Sequence, residues 1–428
     1  MPENYPLDVH PTNFRSLFLF VLTLGNYALM YLANIVLARS LTISDFDDYN
    51  VALSIVTILS TLATLGLEKY ALRGIALFRE RQDWRKFRGF WLFSLRTIFG
   101  FSVLLFMLLG IGLETLLALH DADYHIAIVL FAGFLPIIAI SLFLVEVLSA
   151  QGAHLLGFSL YRLFLPLCYL LLITSTSSSH IPLTASTAVL CFGAAWTLTC
   201  GVIWYAAKLL MPAEAKHATP LSLPKKWLSR SLPLVFNSLM LTVMTSSGVV
   251  ILEILFPSGL QVGVYAVAAQ TGGFISLIGT STNRYYLPMM VVLIDHKNKA
   301  AIQQLINQRT LVVGSLILTL FAVIVLFGQQ LLNLFGSQFS CGYLTLVIIA
   351  TGASFSALFA DIPYYLQFIG FNRTVLSSTL LAMTTMVTLA CYLGNLFGTV
   401  GVAIAYMLPV VLLFSSFRVM AEIHFRRF

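Results

Sequence analysis

Apolar stretches of about 20 residues recur about twelve times along the chain, each long enough to cross the roughly 30 Å hydrocarbon core of a bilayer as a helix. They fall near residues 15 to 38, 47 to 67, 90 to 113, 125 to 149, 156 to 176, 184 to 207, 231 to 256, 262 to 287, 309 to 328, 340 to 361, 371 to 394 and 398 to 417. The first hairpin sets the rhythm. One run ends at Ala38, a polar turn carries Arg39, Asp45, Asp47 and Asp48, and a second run from Val51 to Leu67 leaves through Glu68, Lys69 and Arg73. The rhythm returns from Val249, with Tyr265 standing 216 residues after Tyr49. A second match pairs SAQGAHLLGFS around Gly152 with QFIGFNRTVLS around Gly370, 218 residues on.

Two hairpins at nearly one offset predict an internal duplication. Its halves are 1–207 and 230–428, joined by a cytoplasmic linker over 208–229 that holds Pro212, Pro220 and Pro224. Six is even, so both halves enter the membrane in the same sense, and repeats of that kind place binding sites at their interface.

Composition agrees with this pattern. The chain is 59% hydrophobic and 10% charged, with a mean hydropathy of +0.92, whereas soluble domains carry about 25% charged residues. The stretch Leu17 to Ala38 follows a tail with acids and prolines and lacks a small-residue cleavage site, so it reads as a retained helix. Five cysteines, Cys168, Cys191, Cys200, Cys341 and Cys391, sit in or beside apolar runs and read as packing residues, with no disulfide framework or metal site.

The net charge of +7 acquires meaning only when sorted by loop. Lys69, Arg73, Arg79, Arg81, Arg85, Lys86 and Arg88 follow the second span, and Lys208, Lys216, Lys225, Lys226 and Arg230 follow the sixth. Lys297, Lys299 and Arg309 follow the eighth, and Arg418, Arg426 and Arg427 the last. With twelve spans all lie on one side, while the opposite loops hold Arg39 together with Asp45, Asp47, Asp48, Glu114, Asp121 and Asp123. The positive-inside rule then places both termini in the cytoplasm. This distribution points to anionic lipid and away from nucleic acid. Residues Glu68 to Arg88 alternate basic with apolar side chains and read as an amphipathic helix lying on the inner leaflet.

No enzyme signature is present: the eight histidines form no HExxH pair, there is no GxSxG or P-loop lysine, and no cofactor or metal is implied. Ionisable residues inside spans are the candidate chemistry, because each is costly unless it faces water or a partner. They are Arg96, Glu146, Arg162, Glu253, Arg284 and Asp361. Arg73, Arg96, Arg162 and Arg284 share the cytoplasmic half, and Arg39 joins them as a cationic candidate from the opposite turn. If they face the groove between the halves, their guanidinium groups suit a phosphate or pyrophosphate head; if they face lipid, they snorkel. Asn26, Asn34, Asn237 and Gln270 suit sugar hydroxyls or helix contacts equally. Glu146, Glu253 and Asp361 are candidates for ion coupling or for pairing with the arginines. Pro136, Pro166, Pro409 and Gly272-Gly273 mark places where spans can bend.

The stretch NIVLARSLTISDFDDYNVALSIVTILSTLATLGLEKYALRGIA resembles the first hairpin of polysaccharide-biosynthesis (O-antigen-type) flippases of the multidrug/oligosaccharidyl-lipid/polysaccharide (MOP) superfamily. VGVYAVAAQ at 262 to 270 is similar to their equivalent hairpin in the second half, and FGTVGVAIAYMLPVVLLF at 397 to 414 to their last helix. The resemblance implies an all-α polytopic fold of two six-helix bundles around a central cavity that opens alternately to either side. It also implies a bacterial inner-membrane protein that moves an undecaprenyl-pyrophosphate-linked oligosaccharide for O-antigen, capsule or exopolysaccharide assembly, alongside membrane lipids and other glycan-assembly membrane proteins. The chain departs from the pattern in its seventh span, where many members carry an acidic-basic pair and this one has Val249-Val250, with Glu253 as the only charge. A cation-coupled drug exporter of the same superfamily would have an acidic, aromatic-lined cavity. A membrane-embedded glycan ligase or polymerase would need catalytic groups in an extended outer loop.

Overall fold

The computed structural model describes residues 14–117, 126–178, 182–257, 260–295 and 299–427, and every element among them is helical. The first half runs α1 (Phe14–Ser40), α2 (Ile43–Ala63), α3 (Leu67–Glu80), α4 (Trp84–Leu117), α5 (Ile126–Ala132), α6 (Leu135–Ala150), α7 (His154–Ser159), α8 (Leu165–Ser178) and α9 (Ala185–Leu209). After α10 (Ala213–His217), the second half runs α11 (Pro224–Leu255), α12 (Gln261–Gly273), α13 (Ser276–Asp295), α14 (Lys299–Asn333), α15 (Tyr343–Leu358), α16 (Ile362–Phe368) and α17 (Asn372–Arg427). Asp121, Asp123, Lys297 and the side chains of Glu114, Arg284, Arg426 and Arg427 lie outside the described residues.

Nine helical segments among the described residues are long and apolar enough to cross a membrane, and two bent pairs, α5–α6 at 43° and α12–α13 at 40°, pass the same test together. The last segment divides again. As one rod α17 would be about 84 Å long, but Gly398 breaks it with φ 57° and ψ −133°. Beyond the break Gly401 packs so closely on the Leu393 carbonyl that a Cβ there would lie 1.9 Å from it, so the chain doubles back. Each of the twelve predicted stretches therefore coincides with helix. The bends fall where sequence allows them. The α5–α6 bend precedes Pro136, the α12–α13 bend follows Gly272-Gly273, and Pro166 follows a π-helical turn at Leu160–Phe164.

The matched turns share one geometry. Gly152 and Gly370 have φ +91° and +98°. In each turn the amide after the glycine returns to the carbonyl five residues back, Ala153 to Leu148 and Phe371 to Leu366, both at 2.9 Å. This closure needs a left-handed residue where a Cβ is penalised, which is why glycine stands at both places.

The polar hairpin turns are tied down locally. Thr42 caps α2 by accepting from the Asp45 amide at 3.1 Å, and Asp45 in turn accepts from the Ala185 amide at 2.9 Å, satisfying a free donor at the start of α9. Inside the first half the core is aromatic. Phe90 meets Tyr70, Phe78, Phe143 and Trp227 at 5.3–6.3 Å, and Tyr169 donates to Tyr49 at 2.7 Å.

The segment expected to float on the inner leaflet is instead packed into protein. Leu67, Ala71, Ile75 and Phe78 of α3 are buried, against α6, α4 and α11, while Lys69, Leu72 and Arg73 stay exposed. Its apolar stripe is real, but a protein surface covers it. The linker is docked as well. Arg88 donates to the Ala218 carbonyl at 2.8 Å, and the Leu221 amide to the Arg85 carbonyl at 3.0 Å. Trp227, 1% exposed, sits between Phe90 and Phe93. The first turns of α11 are thus anchored to α4.

Candidate functional site

The halves meet along a polar seam. Asn34 donates to Gln270 at 2.7 Å, Tyr27 to the Gln270 carbonyl at 3.3 Å, and Tyr31 bonds Thr271 at 3.2 Å. Thr61 bonds Thr242 at 3.3 Å, and Arg39 donates to the Leu334 carbonyl at 2.7 Å. Asn34 and Gln270, expected as cavity groups, are spent largely on each other, and Arg39 ties the end of α1 to the end of α14. Asn26 is half-buried and lines neither cavity described below.

Beside this seam two adjoining cavities open on the inner face of the second half. One, of about 290 Å³, is walled by Tyr27, Thr245, Tyr265, Ser276, Thr280 and Tyr406. The other, of about 300 Å³, shares Thr245, Ser276, Thr280 and Tyr406 and extends past Asn237, Asn283 and Gln367. Among the described residues neither wall contains a charged side chain or a histidine. Ser276, Thr280 and Asn283 are spaced four and then three apart on α13, so helical periodicity alone puts them on one face. Thr245 and Thr280 donate back to carbonyls of their own helices at 3.0–3.3 Å. Each hydroxyl has thereby used its proton and presents lone pairs to the cavity, while Asn237 and Gln367 bring amide donors. Beyond Tyr27 lies an almost wholly apolar groove of about 310 Å³ between α1 and α14, so the Tyr27 ring is a wall common to this groove and to the first cavity.

Of the expected arginines, none whose side chain is described lines this space. Arg96 is exposed on the α4 stripe that carries Phe99, Leu104, Met107 and Ile111, an outward apolar face, which is the snorkelling arrangement. Arg73 is exposed on α3, and Arg162 is half-buried with its guanidinium 5.3 Å from the Tyr161 ring. Arg284 follows Asn283 on α13, with its side chain outside the described residues. Glu146 pairs with Lys69 at 3.6 Å, and Glu253 lies on α11 close to Asp47 and Asp48 of α2. Among the described residues no three acidic, histidine or cysteine groups converge as metal ligands.

Asp361 has a partner that sequence reading placed in a loop. Arg309 is 1% exposed and meets Asp361 at 2.6 Å. Asp361 stands at the break between α15 and α16, where helix-end carbonyls lose their partners. Arg309 donates to the Leu358 carbonyl at 2.7 Å and to the Asn283 side-chain oxygen at 3.1 Å, and Asn283 donates to the Ala360 carbonyl at 2.9 Å. One buried guanidinium therefore closes the broken helix and fixes a wall residue of the second cavity. The apolar stretch in the sequence starts near residue 309, whereas α14 begins at Lys299, so Arg309 lies almost three turns inside it.

Comparison with known proteins follows this geometry. The sequence profile of the family described as polysaccharide biosynthesis protein matches residues 15–294. No curated protein matches the chain. Among solved structures, a multidrug resistance MATE family transporter of the MOP superfamily in an inward-facing conformation superimposes with a TM-score of 0.75 at 14% identity, covering 96% of this chain and 99% of its own. The Vibrio cholerae MATE transporter VcmN, as a single-residue mutant, gives 0.66 at 15% identity, covering 96% and 97%. A MOP superfamily transporter from Pyrococcus furiosus gives 0.63 at 14% identity, covering 95% of each chain. These likenesses establish the fold.

Proposed function

We propose a function for this chain, which belongs to the polysaccharide biosynthesis protein family: it moves lipid-linked oligosaccharides across a bacterial inner membrane by alternating access. The observation that carries this reading is the uncharged, hydroxyl- and tyrosine-walled cavity within a bundle of membrane-spanning helices. Its hydroxyls and amides, set among apolar residues such as Leu277, Met244 and Val410, match a glycan head that needs a few hydrogen bonds without compensating charge. The apolar groove on the other side of Tyr27 suits the prenyl tail of the same molecule. The basic loops suit a cytoplasmic face against anionic lipid, with the substrate entering from that side. Arg284, beside Asn283, remains the candidate cation for the pyrophosphate. The absence of carboxylates from the described cavity walls supports glycan cargo over cationic drugs.

The test is reconstitution. Purified protein in vesicles should move a fluorescent polyprenyl-pyrophosphate oligosaccharide between leaflets, followed by protection from a membrane-impermeant quencher. Movement of a cationic dye with none of the lipid-linked glycan would transfer the chain to the drug-exporter reading.

A further inference from the structure

We infer that the paired cavities enclosed by α11, α13 and α17 are a subsite for uncharged sugar rings, and that Thr245, Ser276 and Thr280 select neutral glycans over acidic ones. The inference rests on the transport reading above and adds the class of sugar. Its basis is the pairing of wall chemistry. The half-buried Tyr27 and Tyr406 offer ring surface for the C–H side of a sugar, while the threonine lone pairs and the Asn237 and Gln367 amides supply partners for ring hydroxyls. A carboxylate-bearing sugar would leave water and find no cation among the described wall residues, only the neutral amides of Asn237 and Gln367, which do not balance a buried charge. Among the described side chains, the guanidinium that reaches this wall is not free to help, because Arg309 is buried behind Asn283 and already bound to Asp361, Leu358 and Asn283 itself. A wall built to hydrogen-bond neutral hydroxyls therefore discriminates by leaving a misplaced charge unpaired.

The experiment compares three probes in vesicles: polyprenyl pyrophosphate bearing a neutral disaccharide, the same lipid bearing a uronic acid in the second ring, and sugar-free polyprenyl pyrophosphate. The neutral probe should move at least about tenfold faster than the acidic one. Thr280→Arg should reverse that order. Should that variant fail to fold, the isosteric pair Thr245→Val and Thr280→Val, confirmed intact by thermal melting, should slow the neutral probe about tenfold. Equal rates for neutral and acidic probes, or a neutral rate untouched by the valine pair, overturn the subsite while leaving lipid-linked transport standing. Failure of all three probes to move overturns the transport reading instead.

Discussion

Counted back by the 218 residues that separate Gly370 from Gly152, Arg309 falls on Trp91 and Asp361 on Phe143. In the first half those two positions form an edge-to-face aromatic pair, 6.5 Å between ring centroids, with both residues buried. In the second half the same junction is an ion pair at 2.6 Å. The difference follows the backbone. Phe143 lies within the unbroken helix α6, where every carbonyl nearby has a helical partner, so apolar rings suffice. Asp361 stands at the break between α15 and α16, where bare carbonyls need donors, and a guanidinium supplies several at once. The two cavities described above lie along the second half, with Tyr27 of α1 in the wall of one. The polar junction is what lets the second half carry a break beside a cavity.

The strongest way to break that comparison is Arg309→Leu. It would strand a carboxylate that is 3% exposed and bare the Leu358 carbonyl, at a destabilisation of about 5 kcal/mol. Thermal melting in detergent should show a collapse of the folded fraction. Installing the first half's pair, Arg309→Trp with Asp361→Phe, should recover less than half of the loss, because rings cannot satisfy the α15 carbonyls. Full recovery would mean that the break does not need the guanidinium. Phe143→Ala, on the other side of the comparison, should destabilise by about 3 kcal/mol through the void it leaves. It should leave the neutral-to-acidic preference of transport unchanged, since it touches nothing on the cavity wall.

The sequence announced the architecture far better than the site. Hydropathy alone located twelve helical stretches, because in lipid the backbone must bond internally and a long apolar run has little choice of form. The turns at Gly152 and Gly370 were legible as matched sequence, since closing a helix with a left-handed residue leaves a glycine behind. Arginines misled, because a long side chain's direction depends on which helix face meets lipid. Arg96 went outward with Phe99, while Arg309, read as a loop residue, went inward. The stripe Ser276, Thr280, Asn283 was readable by periodicity, yet hydroxyls in apolar spans draw less notice than charges. The fate of α3 was hidden too, because amphipathicity tells that a face is covered and not by what.

Gly152→Ala and Gly370→Ala sharpen the comparison at the place where the halves agree. A Cβ at Gly370 would meet nothing within 4 Å, and one at Gly152 would approach only Arg79, at 3.5 Å. The penalty is therefore backbone strain alone, about 1 kcal/mol in each case. Melting shifts of equal size would show that the two turns do the same job. A large difference would mean that their shared hydrogen bonds serve different ends.

The smallest expected effect concerns the heads of α4 and α14. Asp83 accepts from the Lys86 amide at 3.2 Å and pairs with the Lys86 ammonium, which holds its carboxyl below the usual range. Counted forward by 218, its position is Ala301, which carries no carboxyl. A carboxyl depressed in the folded state stabilises above its unfolded value of about 3.9 and loses that contribution as pH falls through it towards the folded value. The pair is partly exposed, so its contribution is at most about 0.5 kcal/mol. Asp83→Asn should flatten the melting profile slightly between about pH 5 and about pH 3, whereas substitutions at Ala301 should leave its slope alone. The same turn of α4 carries the linker, through Arg88 on the Ala218 carbonyl and the Arg85 carbonyl on Leu221. Limited proteolysis between Ala218 and Leu221 should therefore quicken in Asp83→Asn at neutral pH. If it does not, the head of α4 holds the linker without help from its acidic cap.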